Sequence, residues 1–571
     1  MTTLLLRSVV LLAVGHSAVA NAADMAPVFK APPPVWNWAG SYLGVHVGAG
    51  WGETGFSGPT GASIYGDYVR TPAFFGGGQI GYNWQAPRSP WVFGIEADVS
   101  ALESIGTNTC LASSGFFVSA NCRVRPELSA TLTGRVGYAT GPDGRTLFYV
   151  KGGVAAIRDN ITIATNNVLP PQATATTAWK WGGTVGAGIE QALTPAWSMK
   201  LEYDYLGFGR GSVPTPASFL QTAPPDPNSY VSTAVNSAGV TQHLHQMKLG
   251  VNYRFGADPW AGWLRPAAIV AAKAPVLKAP APAAAAGWEI EVGARYWLSS
   301  GRFQKDLGAD TTPASALVLG SRLTYVSQAG SGEVFGRIDA PSNLFLKGFA
   351  GGGALSRGRL NDEDWAIFNL TVPYSNTISE PVKGKIVYAT IDAGYDVFRA
   401  PGQKLGVFAG YNFYKENKDA YGCVQIANPS SDCVPSLPNT VLAITENNTW
   451  QALRLGVNGQ MTLLPGLKLT GDVAYLPYVR FGGLDIHWLR GMANDQSPET
   501  GKGRGVQLEA IVSYDVTPAF SVGVGGRYWA MWTDDSAYVN IFGTPCPCQT
   551  LPSKTERAGA FFQGAYRFGA L

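Results

Sequence analysis

From Met247 to Phe255 the chain reads Met-Lys-Leu-Gly-Val-Asn-Tyr-Arg-Phe, apolar at every odd position and polar or glycine at every even one. Successive side chains of an extended strand point to opposite faces, so this segment offers one face to apolar surroundings and the other to a polar or small-residue interior. A strand crossing a bilayer at a tilt needs about 9–11 residues, and segments of this length and period recur along the chain. A repeated period of two with one lipid-compatible face predicts an all-β protein of closed antiparallel barrels.

Composition agrees. The 571 residues include 70 Gly, 17 Trp, 24 Tyr and 25 Phe, which suits strands whose outer faces meet lipid and whose inner faces stay small or polar. No apolar run of about 18 or more residues follows the first twenty-odd positions, which excludes helical spans. Met1 to Arg7 carries one positive charge, Ser8 to Ala20 is apolar, and Ala20-Asn21-Ala22 is a small-residue cleavage site. Residues 1–22 are therefore expected to be a signal peptide and 23–36 a periplasmic tail. The net charge of +3 decides nothing about partners, and nothing in the chain suggests nucleic acid. Six cysteines fall in local pairs: Cys110 with Cys122, Cys423 with Cys433, and Cys546 with Cys548. Export permits disulfides, and the first two pairs are expected to form them. Cys546-Pro-Cys548 is too tight for a bond to be assumed. No cysteine spacing reads as a zinc site, and no cofactor is expected.

Eight strand-like segments lie near 38–52, 72–85, 90–103, 126–141, 145–160, 176–192, 195–208 and 242–256. Joins two, four and six are short and turn-rich, as in Gly141-Pro-Asp-Gly-Arg145, while the others are long and polar. Short periplasmic turns alternating with long external loops is the outer-membrane pattern. It predicts an eight-stranded barrel over 37–256, with His243 and His245 as an exposed loop pair. Residues 257–286 are rich in Ala and Pro, and Lys273-Ala-Pro and Lys278-Ala-Pro echo Lys30-Ala-Pro-Pro-Pro. They read as an extended periplasmic linker. A single barrel of eighteen strands is the rival, but a continuous sheet does not need a tract of this length. Ten further segments follow near 287–300, 320–338, 343–356, 382–398, 403–420, 448–462, 466–484, 503–515, 519–533 and 556–569. Their even-numbered joins are again short, giving a ten-stranded barrel over 287–571.

His487 is the only histidine after His245, and Asp485 sits two positions before it, on the same side of an extended chain. Asp362 and Asp364 fall in the join between strands three and four of the second half, and Asp485 and His487 in the join between seven and eight. Both joins are external and four strands apart around a ten-strand ring. Strict alternation from Val473 and Tyr475 would aim residues 485 and 487 outward, so Pro477 or Gly482-Gly483 must introduce a bulge or bend.

The first half, in its Trp38-Ala-Gly40-Ser-Tyr42-Leu-Gly44 opening and Val251-Asn-Tyr-Arg-Phe-Gly256 close, resembles the small eight-stranded outer-membrane surface-antigen barrels. That resemblance implies a structural or weakly pore-forming barrel. The second half carries Ser321-Arg-Leu-Thr-Tyr325, Ser356-Arg-Gly358, Asp362-Glu-Asp364-Trp365, Leu405-Gly-Val-Phe-Ala-Gly410-Tyr411 and Asp485-Ile-His487. In this it resembles the omptins, ten-stranded outer-membrane proteases. The resemblance implies a catalytic Asp362–Asp364 pair facing an Asp485–His487 pair, a peptide or protein substrate at the cell surface, and lipopolysaccharide as an associated lipid. His487 would act as base, Asp485 would fix its tautomer, and Asp362 and Asp364 would hold the water or share a proton. Gly483 stands where the family places an acid that holds a basic substrate residue, and Arg302 and Lys305 stand near the other acid's position, so basic-pair cleavage is not carried over. The alternative function is a non-enzymatic surface barrel serving as adhesin, structural protein or small pore.

Overall fold

The computed structural model describes residues 36–57, 68–110, 120–141, 143–165, 172–221, 230–233, 237–255, 287–308, 319–365, 374–426, 433–489, 496–534, 539–541, 544–546 and 552–568. The expected signal peptide, almost all of the N-terminal tail, the linker and Cys548 lie outside these residues.

The first unit contains β1 (Gly40–Ser57), β2 (Tyr68–Trp84), β3 (Trp91–Ser104), β4 (Gly106–Cys110), β5 (Ala120–Thr140), β6 (Thr146–Thr165), β7 (Ala173–Ala192), β8 (Trp197–Pro214), β9 (Ser218–Gln221), β10 (Tyr230–Thr233) and β11 (Ser237–Arg254). Pairing runs β3-β2-β1-β11-β8-β7-β6-β5 and closes through β3 with β5, so eight staves form a ring. The second unit contains β12 (Glu289–Gly308), β13 (Leu319–Asp339), β14 (Leu344–Trp365), β15 (Tyr374–Ser379), β16 (Val382–Ala400), β17 (Gln403–Gln425), β18 (Leu437–Leu464), β19 (Leu467–His487), β20 (Gln496–Asp515), β21 (Phe520–Thr533), β22 (Val539–Ile541), β23 (Thr544–Cys546) and β24 (Ser553–Phe568). Here β12, β13, β14, β16, β17, β18, β19, β20, β21 and β24 close a second ring of ten antiparallel staves, with β15, β22 and β23 as additions at one end.

The staves extend well past the segments marked by period-two patterning, and this corrects four expectations. Asp362 and Asp364 lie on β14 and Asp485 and His487 on β19 rather than in loops, Arg302 and Lys305 lie on β12, and His243 and His245 lie on β11. The physical reason is that strand pairing continues beyond the lipid, where the outer face no longer has to be apolar. On the second ring, exposed Val292, Leu298, Val334, Ile391, Val407 and Val524 form the lipid-facing band. Trp288, Tyr395, Tyr514 and Tyr566 border it at the short-turn end, and Tyr296, Tyr411 and Tyr478 at the other. Beyond that second border the exposed residues become Arg357, Arg359, Lys383, Lys385, Lys415 and Arg480. The staves therefore carry a rim that stands clear of the bilayer.

The first lumen is filled and the second is plugged. In the first ring Lys151 lies 2.8 Å from Glu202 and 3.3 Å from Glu96 and Asp204, while Lys248 lies 3.0 Å from Asp98 and 2.8 Å from Asp204. Eight staves leave an interior just wide enough for side chains, and here those side chains are interlocked ions. In the second ring Trp529 stacks on Phe349 and meets Tyr388 and Tyr414 edge-on, at centroid separations of 6.1, 5.3 and 5.7 Å. Arg527 lies against this plug, 4.3 Å from the Phe349 ring centre, and pairs with Glu333 and Glu509 at 2.6 Å. The plug divides the rim cleft from a polar cavity of about 990 Å³ toward the short turns.

The two rings stand side by side with their long-strand ends together. Trp51 meets Tyr528 at 5.4 Å and Phe74 stacks on Tyr475 at 4.8 Å. Ala49, Met199 and Leu249 of the first ring pack with Met461, Val506 and Ala530 of the second. Replacing Lys151 with Met strands several buried carboxylates, and breaking one member out of such a network costs about 3–5 kcal/mol. The expected outcome is a lower urea midpoint for the first ring in detergent, read by faster hydrogen exchange over 146–165.

Candidate functional site

A one-residue insertion in β19 turns Asp485 and His487 inward, as one at Ser356 of β14 does for Asp362 and Asp364. Below the β19 insertion, Val473 and Tyr475 face outward against the first ring. Leu476 and Val479 both face the lumen although they lie three positions apart, and their partners Gly505 and Gly503 on β20 are only two apart. On the other side Tyr475 and Tyr478 oppose Leu455 and Leu453. Pro477 occupies the irregularity, where its missing N–H costs no ladder bond. The bulge reverses the parity of everything above it, so Phe481, Asp485 and His487 face the mouth. Phe481 then packs on Trp450 at 4.5 Å, forming the floor beneath the pair.

At the rim His487 Nε2 lies 3.1 Å from Asp485 Oδ2. The same carboxylate oxygen lies 2.7 Å from Lys305 Nζ, which reaches it across the mouth from β12, four staves away round the ring. Lys305 also donates to Glu446 at 2.8 Å and to Glu499 at 2.7 Å. One ammonium thus serves three carboxylates, all nearly inaccessible to solvent. Among the described residues Glu446, Asp485 and Glu499 are the set whose oxygens, within 4.8 Å of one another, could hold a metal ion. The lysine ammonium takes the cation's place there. Asn448 Nδ2 donates to Glu446 at 2.6 Å, and Lys418 contacts Asn448 and lies 3.4 Å from Glu416, which receives Arg557 at 2.6 Å. A buried polar chain therefore anchors the rim cluster to the wall below.

Burial works against every charge in this cluster, and the outcome depends on its neighbours. Burial would raise the Asp485 carboxyl, but Lys305 and His487 override it and hold the group far below the usual carboxylate range. Burial opposes the Lys305 charge, yet Asp485, Glu446 and Glu499 keep it well above the ordinary lysine value. Glu499 is pushed up from an ordinary 4.5 to about 8, by burial first and then by the Glu446 charge. Three acids around one ammonium resist full ionisation, so they retain a proton at neutral pH.

Tyr325 ties the second predicted pair to this cluster. Burial, followed by the charges of Glu446, Asp485, Asp362 and Glu499, drives its phenol well above the ordinary tyrosine value. Asp362 opposes Leu323 and Asp364 opposes Ser321 on β13, so both aspartates share the inward parity of Leu323 and Tyr325. Lys305, Glu446 and Glu499 were not identified as site residues from the chain alone. A readable signal did exist in Gly483. A Cβ there would come within 2.6 Å of Glu499 Oε2, so the glycine leaves room for an acid supplied by the adjacent stave. Disulfides join Cys110 to Cys122 and Cys423 to Cys433.

Two closed rings with apolar belts define an outer-membrane protein of tandem β-barrels. Residues 9–255 match the family model described as outer membrane protein beta-barrel domain. The 31 kDa outer-membrane immunogenic protein of Brucella melitensis is 28% identical over 235 residues, covering 39% of this chain and 87% of that protein. The 25 kDa outer-membrane immunogenic protein of Brucella abortus is 29% identical over 199 residues, covering 34% and 79%. Among solved structures, the outer membrane protease OmpT from Escherichia coli aligns at 15% identity and a TM-score of 0.41, covering 49% of this chain and 97% of that chain. Ail, the attachment invasion locus protein of Yersinia pestis, aligns at 11% identity and a TM-score of 0.18, covering 38% and 99%. The family model and the Brucella relatives fit the resemblance carried by the first half.

Glu499 gives the rim a pH dependence of definite sign. Between about 4.5 and about 8 the folded rim keeps a proton that the unfolded chain has released, so stability falls as pH rises through that window. Glu499→Gln is expected to flatten this fall, which is at most about 1.4 kcal/mol per pH unit. Hydrogen exchange of residues 496–503, compared at both ends of the window after intrinsic-rate correction, checks it.

Proposed function

We propose that the second barrel is an omptin-like endopeptidase whose cleft opens at the outer surface of the cell, with the short turns and the linker in the periplasm. The observation that supports it most directly is the 3.1 Å contact of His487 with Asp485, on a stave bulged so that both face the cleft. Peptide hydrolysis requires a water to be deprotonated, a developing oxyanion to be stabilised and the leaving amine to be protonated. With Nε2 held by Asp485, His487 Nδ1 takes the proton from water and delivers it to the amine. Asp485, kept ionised by Lys305, fixes the tautomer and balances the imidazolium that forms. Asp362 and Asp364 orient the water from the β14 side. Lipopolysaccharide in the outer leaflet is the proposed lipid partner, and a surface peptide or protein the substrate. Because Lys305 already occupies Glu446 and Glu499, no preference for basic residues before the scissile bond is expected.

A non-enzymatic surface barrel is the second reading, favoured by one observation. Lys305 takes the same Asp485 oxygen that His487 reaches. The ion-filled and aromatic-plugged lumens weigh against a pore in either ring.

The full chain in lipopolysaccharide-containing detergent is expected to cleave members of a mixed peptide library, and His487→Ala to lower the rate by about 10²–10⁴. Absence of cleavage by the unaltered protein, or survival of the full rate in His487→Ala, removes the hydrolase.

A further inference from the structure

The outward side chains beside the candidate site are not exposed, because part of the first barrel covers them. On β13, Arg322 is fully buried and donates from Nε and Nη2 to Asp306 at 2.7 Å each. Its remaining N–H groups reach into the first barrel. Nη1 donates to Thr109 Oγ1 at 2.8 Å, and Nη2 also donates to Asn121 Oδ1 at 2.9 Å. The Thr109 hydroxyl in turn donates a hydrogen bond to Glu363 Oε2 at 3.2 Å. Thr107 Oγ1 donates to Asp306 Oδ2 at 3.0 Å, and Gln304 Nε2 to the Thr107 carbonyl at 3.2 Å. Thr109 and Asn121 face each other in register on β4 and β5, and the Cys110–Cys122 disulfide staples the two strands beside them.

Every residue held in this way is a chain neighbour of an inward residue of the candidate site. Asp306 follows Lys305, and Glu363 lies between Asp362 and Asp364. Arg322 lies between Ser321 and Leu323, which oppose those two aspartates. Side chains alternate across a stave, so fixing the outward set fixes the backbone that aims the inward set. We propose that the stapled β4–β5 arm of the first barrel is a positioning element for the second barrel's rim, and that Thr109, Asn121 and Arg322 are its positioning residues. The arm is the upper end of an interface that continues through Glu103, which contacts Tyr475 and Arg504, to the Phe74–Tyr475 and Trp51–Tyr528 ring contacts. A charge-assisted cluster closed on all sides tolerates little displacement, since an unpaired buried guanidinium or carboxylate is costly. The arm's consequence for catalysis rests on the hydrolase reading, but its consequence for rim order does not.

The test uses the full chain with a specific protease site placed in the 257–286 linker. After cutting, the two halves are expected to co-elute in detergent on size exclusion, and separation overturns the proposal. In the uncut protein, Thr109→Val and the paired Cys110→Ser, Cys122→Ser change are each expected to speed hydrogen exchange over 319–326 and 357–365 roughly ten-fold. Residues 383–396 on the far side should be unchanged. Thr109→Ser, which keeps the bridging hydroxyl, should restore slow exchange. Unchanged exchange in Thr109→Val, or no rescue by serine, overturns the arm. With a cleaved peptide in hand, Thr109→Val should lower kcat with KM little altered. If the unaltered protein cleaves nothing, the hydrolase fails while the exchange result still decides the arm.

Discussion

In hydrocarbon a backbone amide has no water to turn to, so each stave must be paired along both edges. That requirement closes both rings here, and closure imposes parity: a residue faces lipid or lumen according to its count along the stave. The site in the second barrel follows from two departures from that count, at Leu476–Val479 of β19 and at Leu355–Arg357 of β14. Below the bulge the odd residues of β19 pack against the neighbouring barrel. Above it they line the mouth, which brings an imidazole and a carboxylate into a part of the wall that stands beyond the lipid band.

Inside the mouth, a buried lysine organises the acids. Asp485 alone among apolar neighbours would be driven toward its neutral form, and Lys305 prevents this. The cost is transferred to Glu446 and Glu499, which sit close enough to one another and to Asp485 that full ionisation is unfavourable. Glu499 enters the site from the adjacent stave, admitted by the missing side chain of Gly483. With Lys305 bonded to all three acids, the pocket's charges are engaged from within.

The tandem arrangement has physical content beyond a tether. Eight staves enclose too little space for a cleft, and the first lumen is taken up by interlocked ions. Its outer wall and its stapled rim hairpin are what it offers its neighbour. Apolar and aromatic side chains meet at membrane depth, and hydrogen bonds to Arg322, Asp306 and Glu363 meet above it. The two levels together hold the rings with their rims at a common height.

Period-two alternation, the alternation of short and long joins, and the export signature were enough to read two closed barrels of eight and ten staves, because each is a local property of the chain. The Asp485–His487 pairing was legible for the same reason, since residues two apart share a face on any strand. The need for a bulge could be counted, but its place could not. Only closure of the ring showed that Pro477, rather than Gly482-Gly483, carries it. The lengths of the staves above the lipid were also hidden, because there the outer face loses its apolar signal while the hydrogen-bond ladder continues. Lys305, Glu446, Glu499 and the Arg322 clamp belong wholly to tertiary structure. Lys305 acts across a ring, Glu499 fills space left by a glycine on another stave, and Arg322 finds partners some two hundred residues away, a separation about which local pattern carries no information.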